Sequence, residues 1–181
     1  MDQDELKKQK KSLMNLYGLF GASIVLSVIP HYGAAGLSLI FFIALLLMAS
    51  HMRKNAQDNS LVDNHATYVV RTIWISAFIS LITMIIAAIY VHGAIDPEPF
   101  IPCAQKILAH AQELAENSDI AYLVSLTEPC MAPFLGVNAK PLMIGGSIAI
   151  CPLMLYIAYR FFYGFQRAFK GYRLADPKRW F

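Results

Sequence analysis

The chain has 181 residues and a net charge of +3, with 57% of its residues apolar and only 15% charged. Soluble domains run at about 45–50% apolar and about 25% charged, so an ordinary water-facing globule is excluded. The positive charge does not sit on one exposed surface but is split between the two sides of the apolar segments described below, so a nucleic-acid partner is not implied.

Residues 1–12 are polar, with Lys7, Lys8, Lys10 and Lys11 clustered before an apolar run. This is how a secretory signal peptide opens. The run from Leu13 to Ile29, however, ends at Pro30-His31-Tyr32-Gly33 without a small-residue cleavage site, and a second apolar run follows at once. The sequence predicts an uncleaved first helix over 13–29, near the lower limit for crossing a bilayer. Gly18 and Ala22, four apart, form a notch where a neighbouring helix can approach closely. A tight turn at Pro30 leads into a second helix over 34–52, so the first two helices form an antiparallel hairpin. Both arms are apolar all round, which favours lipid over a soluble core.

Residues 53–66 are polar, with Leu61 and Val62 able to dock a short helix on the membrane surface. The third helix is expected over 67–92. From Tyr68 to Val91 it supplies the about 20 mostly apolar residues that a spanning helix needs. Arg71 lies one turn inside, where it can snorkel to the headgroups while Tyr68 and Trp74 sit at the interface. Ser76 and Ser80 give this helix a small, polar packing face.

Residues 93–140 differ in kind. Pro97, Pro99 and Pro102 predict an extended start, followed by a helical stripe of Ile107, Leu108, Ala111, Leu114 and Ala115. Asn117-Ser118-Asp119 breaks the stripe, and Ser118 or Asp119 can cap a second short helix through Leu126. Pro129 and Pro133 close this cap. The fourth helix is expected over 141–165, with Gly145 and Ala149 as its notch and a kink at Pro152. The tail that follows is basic and aromatic, with Phe161, Phe165, Phe169 and Tyr172 on one face, suited to lying along a membrane surface. The fold class expected is an all-α membrane protein of four transmembrane helices, one domain over 1–181, with a small helical cap outside the cytoplasm.

Four spans put both termini on one side. Thirteen of the fifteen Lys and Arg residues fall on that side, and Lys106 and Lys140 are the two exceptions. Positive charge accumulates on the cytoplasmic side. The termini and the 53–66 loop are therefore expected in the cytoplasm, and 93–140 outside. In an oxidising compartment Cys103 and Cys130, at the two ends of the cap, can close a disulfide; the alternative is two free thiols. Cys151 reads as a packing residue inside the fourth helix.

His65, Tyr68 and Arg71 recur every third residue and share a helix face, and Arg160 approaches from the same side. They suit an anionic site for a lipid headgroup or a partner carboxylate, with Asp63 as an intramolecular partner; the alternative is an interfacial anchor. The helix centres carry no Asp, Glu, Lys or Arg, which argues against ion-coupled transport. His110 and Glu113 are one turn apart, but a metal site needs a third ligand, for which Glu116 or Asp119 is only a formal candidate. Ser76, Ser80 and Ser147 have no helix-core histidine as a base. No catalytic residue, metal site or cofactor is expected.

His65, Tyr68, Arg71, Thr72, Trp74 and Ile75, then Tyr159-Arg160, Gly164, Lys170-Gly171 and Asp176-Pro177, resemble a family of small bacterial inner-membrane proteins. That family is grouped by distant likeness with a membrane subunit of the chloroplast inner-envelope protein-import machinery. The resemblance covers about half the chain and implies a tetraspan protein of the bacterial cytoplasmic membrane within a larger assembly, with lipids and other integral membrane subunits as partners. Three functions fit: a non-enzymatic accessory or structural subunit, a transport or protein-translocation component, or a membrane immunity protein.

Overall fold

The structure, a computed structural model, describes residues 3–111 and 120–180. The described residues are mostly helical, with no strand among them. The elements are α1 (Gln3–Ser27), α2 (Tyr32–Asn55), α3 (Leu61–Ala94), a 3-10 turn (Glu98–Phe100), α4 (Ile101–Ala109) and α5 (Ile120–Lys170). α2, α3 and α5 are each long and apolar enough to cross a membrane. α1 is of similar length, but its lysine-rich first half leaves only its second half apolar.

The helices start earlier or end later than the apolar runs suggest, because capping chemistry lies outside those runs. The His31 ring accepts a hydrogen bond from the Gly33 amide (3.1 Å) and caps α2. α2 ends with Arg53 and Lys54 in its last turn, where cations oppose the helix dipole. Asn59 takes a left-handed φ of 62°, which asparagine tolerates. Ser60 then caps α3 by accepting from the Asp63 amide (3.1 Å). Leu61, expected on a surface segment, is the buried first residue of α3.

The largest departure concerns the fourth helix. It starts at Ile120 instead of 141 and runs without interruption for 51 residues to Lys170. The stretch through Leu126 is therefore its opening, not a separate short helix of a cap. The expected break at Asn117-Ser118-Asp119, and Glu113, Leu114, Ala115 and Glu116, lie outside the described residues. Pro129, Pro133, Pro141 and Pro152 each remove only one ladder donor. The first half of α5 stays helical through three of them and makes contacts that support it: Cys130 is joined to Cys103, and the Phe134 ring meets Phe100 edge-on at 5.8 Å. Asn138 is tied to the backbone of Asp96. Tertiary packing overrides local propensity here.

The packing divides the chain into two compact units, residues 1–80 with 152–181 and residues 81–151. In the first, Leu13, Leu16, Tyr17 and Phe20 repeat at helical spacing and bury one face of α1 against Leu45 and Ala49 of α2, Val69 and Ile73 of α3 and Ala168 of α5. In the second, Gly145 sits where an added Cβ would overlap the Val91 side chain, and the Thr83 hydroxyl donates to the Ala149 carbonyl (3.0 Å). That expected notch is thus filled by α3. The Gly18 notch on α1 is not, since nothing lies within 4 Å of a Cβ built there; Gly21 receives Phe161 instead, at 3.1 Å. Ser76 is buried with an unpartnered hydroxyl, and Ser80 is half-buried.

Cys103 and Cys130 form a disulfide with Cα atoms 6.2 Å apart, enclosing a separation of 27 residues. Closing a loop of that length contributes about 3 kcal/mol in the chain-entropy view. Alkylation of the unreduced protein is expected to modify only Cys151. Reduction, or the Cys103→Ser/Cys130→Ser pair, should lower the unfolding midpoint in detergent. Ready labelling of either cysteine without reduction would contradict the bridge.

Candidate functional site

A polar cluster forms inside the first unit, where the first turns of α3 meet the last turns of α5. On α5, Tyr156, Arg160, Gly164 and Ala168 repeat every fourth residue and make a buried stripe. The stripe narrows from large to small side chains along the helix. At Gly164 an added Cβ would overlap the Tyr17 hydroxyl and lie 2.9 Å from Tyr68 Cε1, so glycine is what lets both tyrosines reach the cluster.

Arg160 is at the centre, with 1% of its surface exposed. Among the described residues no carboxylate pairs with it. Its guanidinium is instead solvated by neutral oxygens: Nε donates to Thr72 Oγ1 (2.9 Å), NH1 to the Arg179 carbonyl (2.9 Å) and NH2 to the Tyr68 carbonyl (3.4 Å). The Thr72 hydroxyl passes its own proton to the Tyr68 carbonyl (2.7 Å), which turns its lone pairs towards Arg160. The guanidinium carbon lies 3.6 Å from the centroid of the Tyr68 ring, a close cation–π contact. The Tyr68 hydroxyl donates to the Arg160 carbonyl (3.1 Å), closing the pair from the other end.

His65 is fully buried and both ring nitrogens are engaged. Nε2 faces the Tyr172 carbonyl at 3.0 Å and so carries the proton; Nδ1 then accepts from the Tyr17 hydroxyl at 3.0 Å. This bond ties α1 to α3. The rings of Tyr17 and His65 also meet edge-on at 5.7 Å.

A returning C-terminal strap completes the cluster. α5 stops in a Schellman motif: Gly171 has φ +76°, its amide bonds to the Ala168 carbonyl (3.0 Å), and the Tyr172 amide bonds to the Arg167 carbonyl (2.9 Å). The left-handed residue turns the chain back. Asn64 then clamps the strap as a peptide would, its Nδ2 donating to the Leu174 carbonyl (3.0 Å) and its Oδ1 accepting the Leu174 amide (2.8 Å). Asp176 accepts from the Lys178 amide (2.9 Å) and tightens the following turn. The strap is thus fastened at Tyr172, Leu174, Lys178 and Arg179, and Trp180 ends edge-on to Phe78 at 6.1 Å.

Of the four residues suggested for an anionic site, His65, Tyr68 and Arg160 come together in this buried cluster. Arg71 is exposed and outside it, donating through Nε to the Lys178 carbonyl (3.3 Å). Asp63 does not serve as their partner; it accepts from Thr67 at 3.5 Å within its own helix. The tail does not continue as a surface helix, because Gly171 ends it. Tyr17, Asn64 and the strap carbonyls were missed. Tyr17, a polar-tipped ring in an apolar run, was the available signal; backbone acceptors leave none. His110 bonds back to the Lys106 carbonyl (2.9 Å). Comparison with known protein families, with curated proteins and with solved structures gives no match to this chain.

Gly164→Ala should lower stability by about 1–3 kcal/mol through overpacking. Adding Tyr17→Phe, which deletes the atom the new Cβ meets first, should recover part of that loss in a thermal-unfolding series. Purely additive losses would contradict the contact. Asn64→Ala leaves two buried strap groups unpaired, each worth about 1–3 kcal/mol. The Leu174 amide should then lose its hydrogen-exchange protection, and unchanged protection would show that the clamp does not hold the strap.

Proposed function

We propose that this chain is an integral protein of the bacterial cytoplasmic membrane that acts as a non-enzymatic accessory or structural subunit of a larger membrane complex. α1 to α3 and the second half of α5 serve as four crossings, with both termini and the 53–66 loop cytoplasmic and residues 93–140 periplasmic. The observation that carries this reading is the uncovered apolar surface. In their most apolar windows, α2 and α5 bury only 11% of their residues inside the chain, and α3 33%. Lipid tails or other helices must cover the remainder. The open space over Gly18 of α1 and Gly36 of α2 favours a neighbouring helix at those points, because small residues let backbones approach. The disulfide fits an oxidising compartment for its segment, and the charge asymmetry agrees with it.

The non-enzymatic part rests on how the polar groups are used. Arg160, His65, Tyr68, Thr72 and Asn64 spend their hydrogen bonds on backbone groups, on one another and, for His65, on the Tyr17 hydroxyl, which is a fastening role. The hydroxyl–imidazole contact of Tyr17 with His65 is buried, and the second ring nitrogen is held by the Tyr172 carbonyl.

Mild extraction of the native protein followed by sizing and mass spectrometry should recover it with a stoichiometric membrane partner. Recovery alone or as a homo-oligomer would overturn the accessory role and favour a passive pore. On a Cys151→Ser background, a membrane-impermeant maleimide added to intact cells should label Gln105→Cys but not Gln57→Cys. The reverse pattern would invert the orientation.

A further inference from the structure

Beside Arg160 lies a cavity of about 180 Å³, bounded by Tyr68, Tyr159, Tyr163, Asp176 and Arg179 together with Arg160 itself. A guanidinium has five N–H donors, and Arg160 gives three of them to Thr72, Tyr68 and Arg179. Two donors are therefore left without an acceptor among the described residues, in a side chain that is almost wholly out of water. Unpaired buried charge is costly, and carbonyl dipoles and an aromatic face offset only part of that cost.

The surroundings favour an oxygen anion. Arg160 and Arg179 supply two positive charges to the cavity wall, and Asp176 one negative charge, part of whose capacity is taken by the Lys178 amide. One positive charge is left over. Tyr159 and Tyr163, both lining the cavity, stack at 6.1 Å with planes 10° apart. A second cavity of about 310 Å³ shares Tyr163 and carries Arg167 and Lys170, and Arg167 lies 5.5 Å over the Tyr163 ring. The region is basic and open at the helix ends, where a headgroup would lie.

We infer that the Arg160 cavity binds a phosphate-type oxyanion, most simply the phosphodiester of a phospholipid headgroup, with Arg160 and Arg179 donating to its oxygens. A phosphodiester carries one negative charge and matches the surplus. The planar guanidinium fork suits two of its oxygens at once. This would add a specific lipid site to a cluster otherwise occupied in holding the strap. The lipid source rests on the membrane reading above; phosphate recognition itself does not.

The test uses the full-length protein, delipidated in detergent and titrated under native mass spectrometry. The probes are phosphatidylglycerol, inorganic phosphate, and diacylglycerol as the lipid without a phosphate. Wild type should retain phosphatidylglycerol about tenfold more strongly than diacylglycerol. Competition by inorganic phosphate would make a soluble phosphate the source, and its failure to compete would make the lipid the source; both support an oxyanion site. Arg160→Gln is expected to abolish retention but also removes strap contacts, so the rim decides. Arg179→Gln removes a cavity charge while its carbonyl still holds Arg160, and should weaken retention by about tenfold. Asp176→Asn keeps an acceptor for the Lys178 amide and should tighten it severalfold. Lys178→Gln changes net charge outside the cavity and should do nothing. Equal retention of the two lipids with no phosphate binding, or equal effects of Arg179→Gln and Lys178→Gln, would overturn the proposal. Those outcomes leave the subunit reading standing, whereas recovery of a lone protein that still shows the rim pattern would do the opposite.

Discussion

The structure turns on one cost, that of keeping the Arg160 guanidinium out of water. A buried cation without a carboxylate has to be solvated by its own protein. Here that is done by a threonine hydroxyl, two backbone carbonyls and the face of a tyrosine ring. These groups come from two places, α3 and the returning strap, while the arginine itself belongs to α5. Satisfying one charge therefore fixes the relation of three segments, which a contact between two apolar faces would leave freer to slide. Burying a charge is not in itself a stabilising device. Its value is directional, because hydrogen bonds to a planar fork accept few alternative geometries.

The strap shows the same economy. A chain leaving α5 at Lys170 could project away, but the left-handed Gly171 sends it back. Its irregular backbone has donors and acceptors that no helix satisfies. Side chains on α3 stand in for the missing ladder: Asn64 imitates a peptide group, His65 donates to one carbonyl and Arg71 to another. The second unit solves its own irregular stretch identically. Asn138, 1% exposed, bonds both the amide and the carbonyl of Asp96. Asparagine is suited to this because it is the shortest side chain with a peptide's donor and acceptor.

Apolar runs made α1, α2 and α3 legible in the sequence, and the cysteine pair was legible from its place at the two ends of one segment and from charge asymmetry. The boundaries were less so. His31, Ser60 and Gly171 act through caps that lie beside the apolar runs, and reading only the runs trims each helix. The start of α5 differs from the expected one because Pro129, Pro133 and Pro141 look like punctuation. Each costs one hydrogen bond, and a disulfide, a ring contact and an asparagine clamp outweigh that cost in a way visible only once the segments meet. At the site, spacing brought out His65 and Tyr68, and a shared side of the chain brought in Arg160. Arg71 was included by the same three-residue rule, but that rule gives a face and not a depth.

Spacing also explains why the cluster looks like a binding motif without being wholly one. Histidine, tyrosine and arginine on one face suggest a ligand, and here most of their capacity is spent within the chain. What distinguishes Arg160 from His65 is the remainder. His65 has two ring nitrogens and two partners, so it is saturated. Arg160 has five donors and three acceptors, beside a cavity whose other cation belongs to the strap. An anion seated there would bond α5 and the strap together and neutralise the charge that the fold otherwise tolerates. Strap fastening and anion binding are then coupled through one side chain. A ligand that favours the closed strap must, by linkage, be held more tightly when the strap is closed.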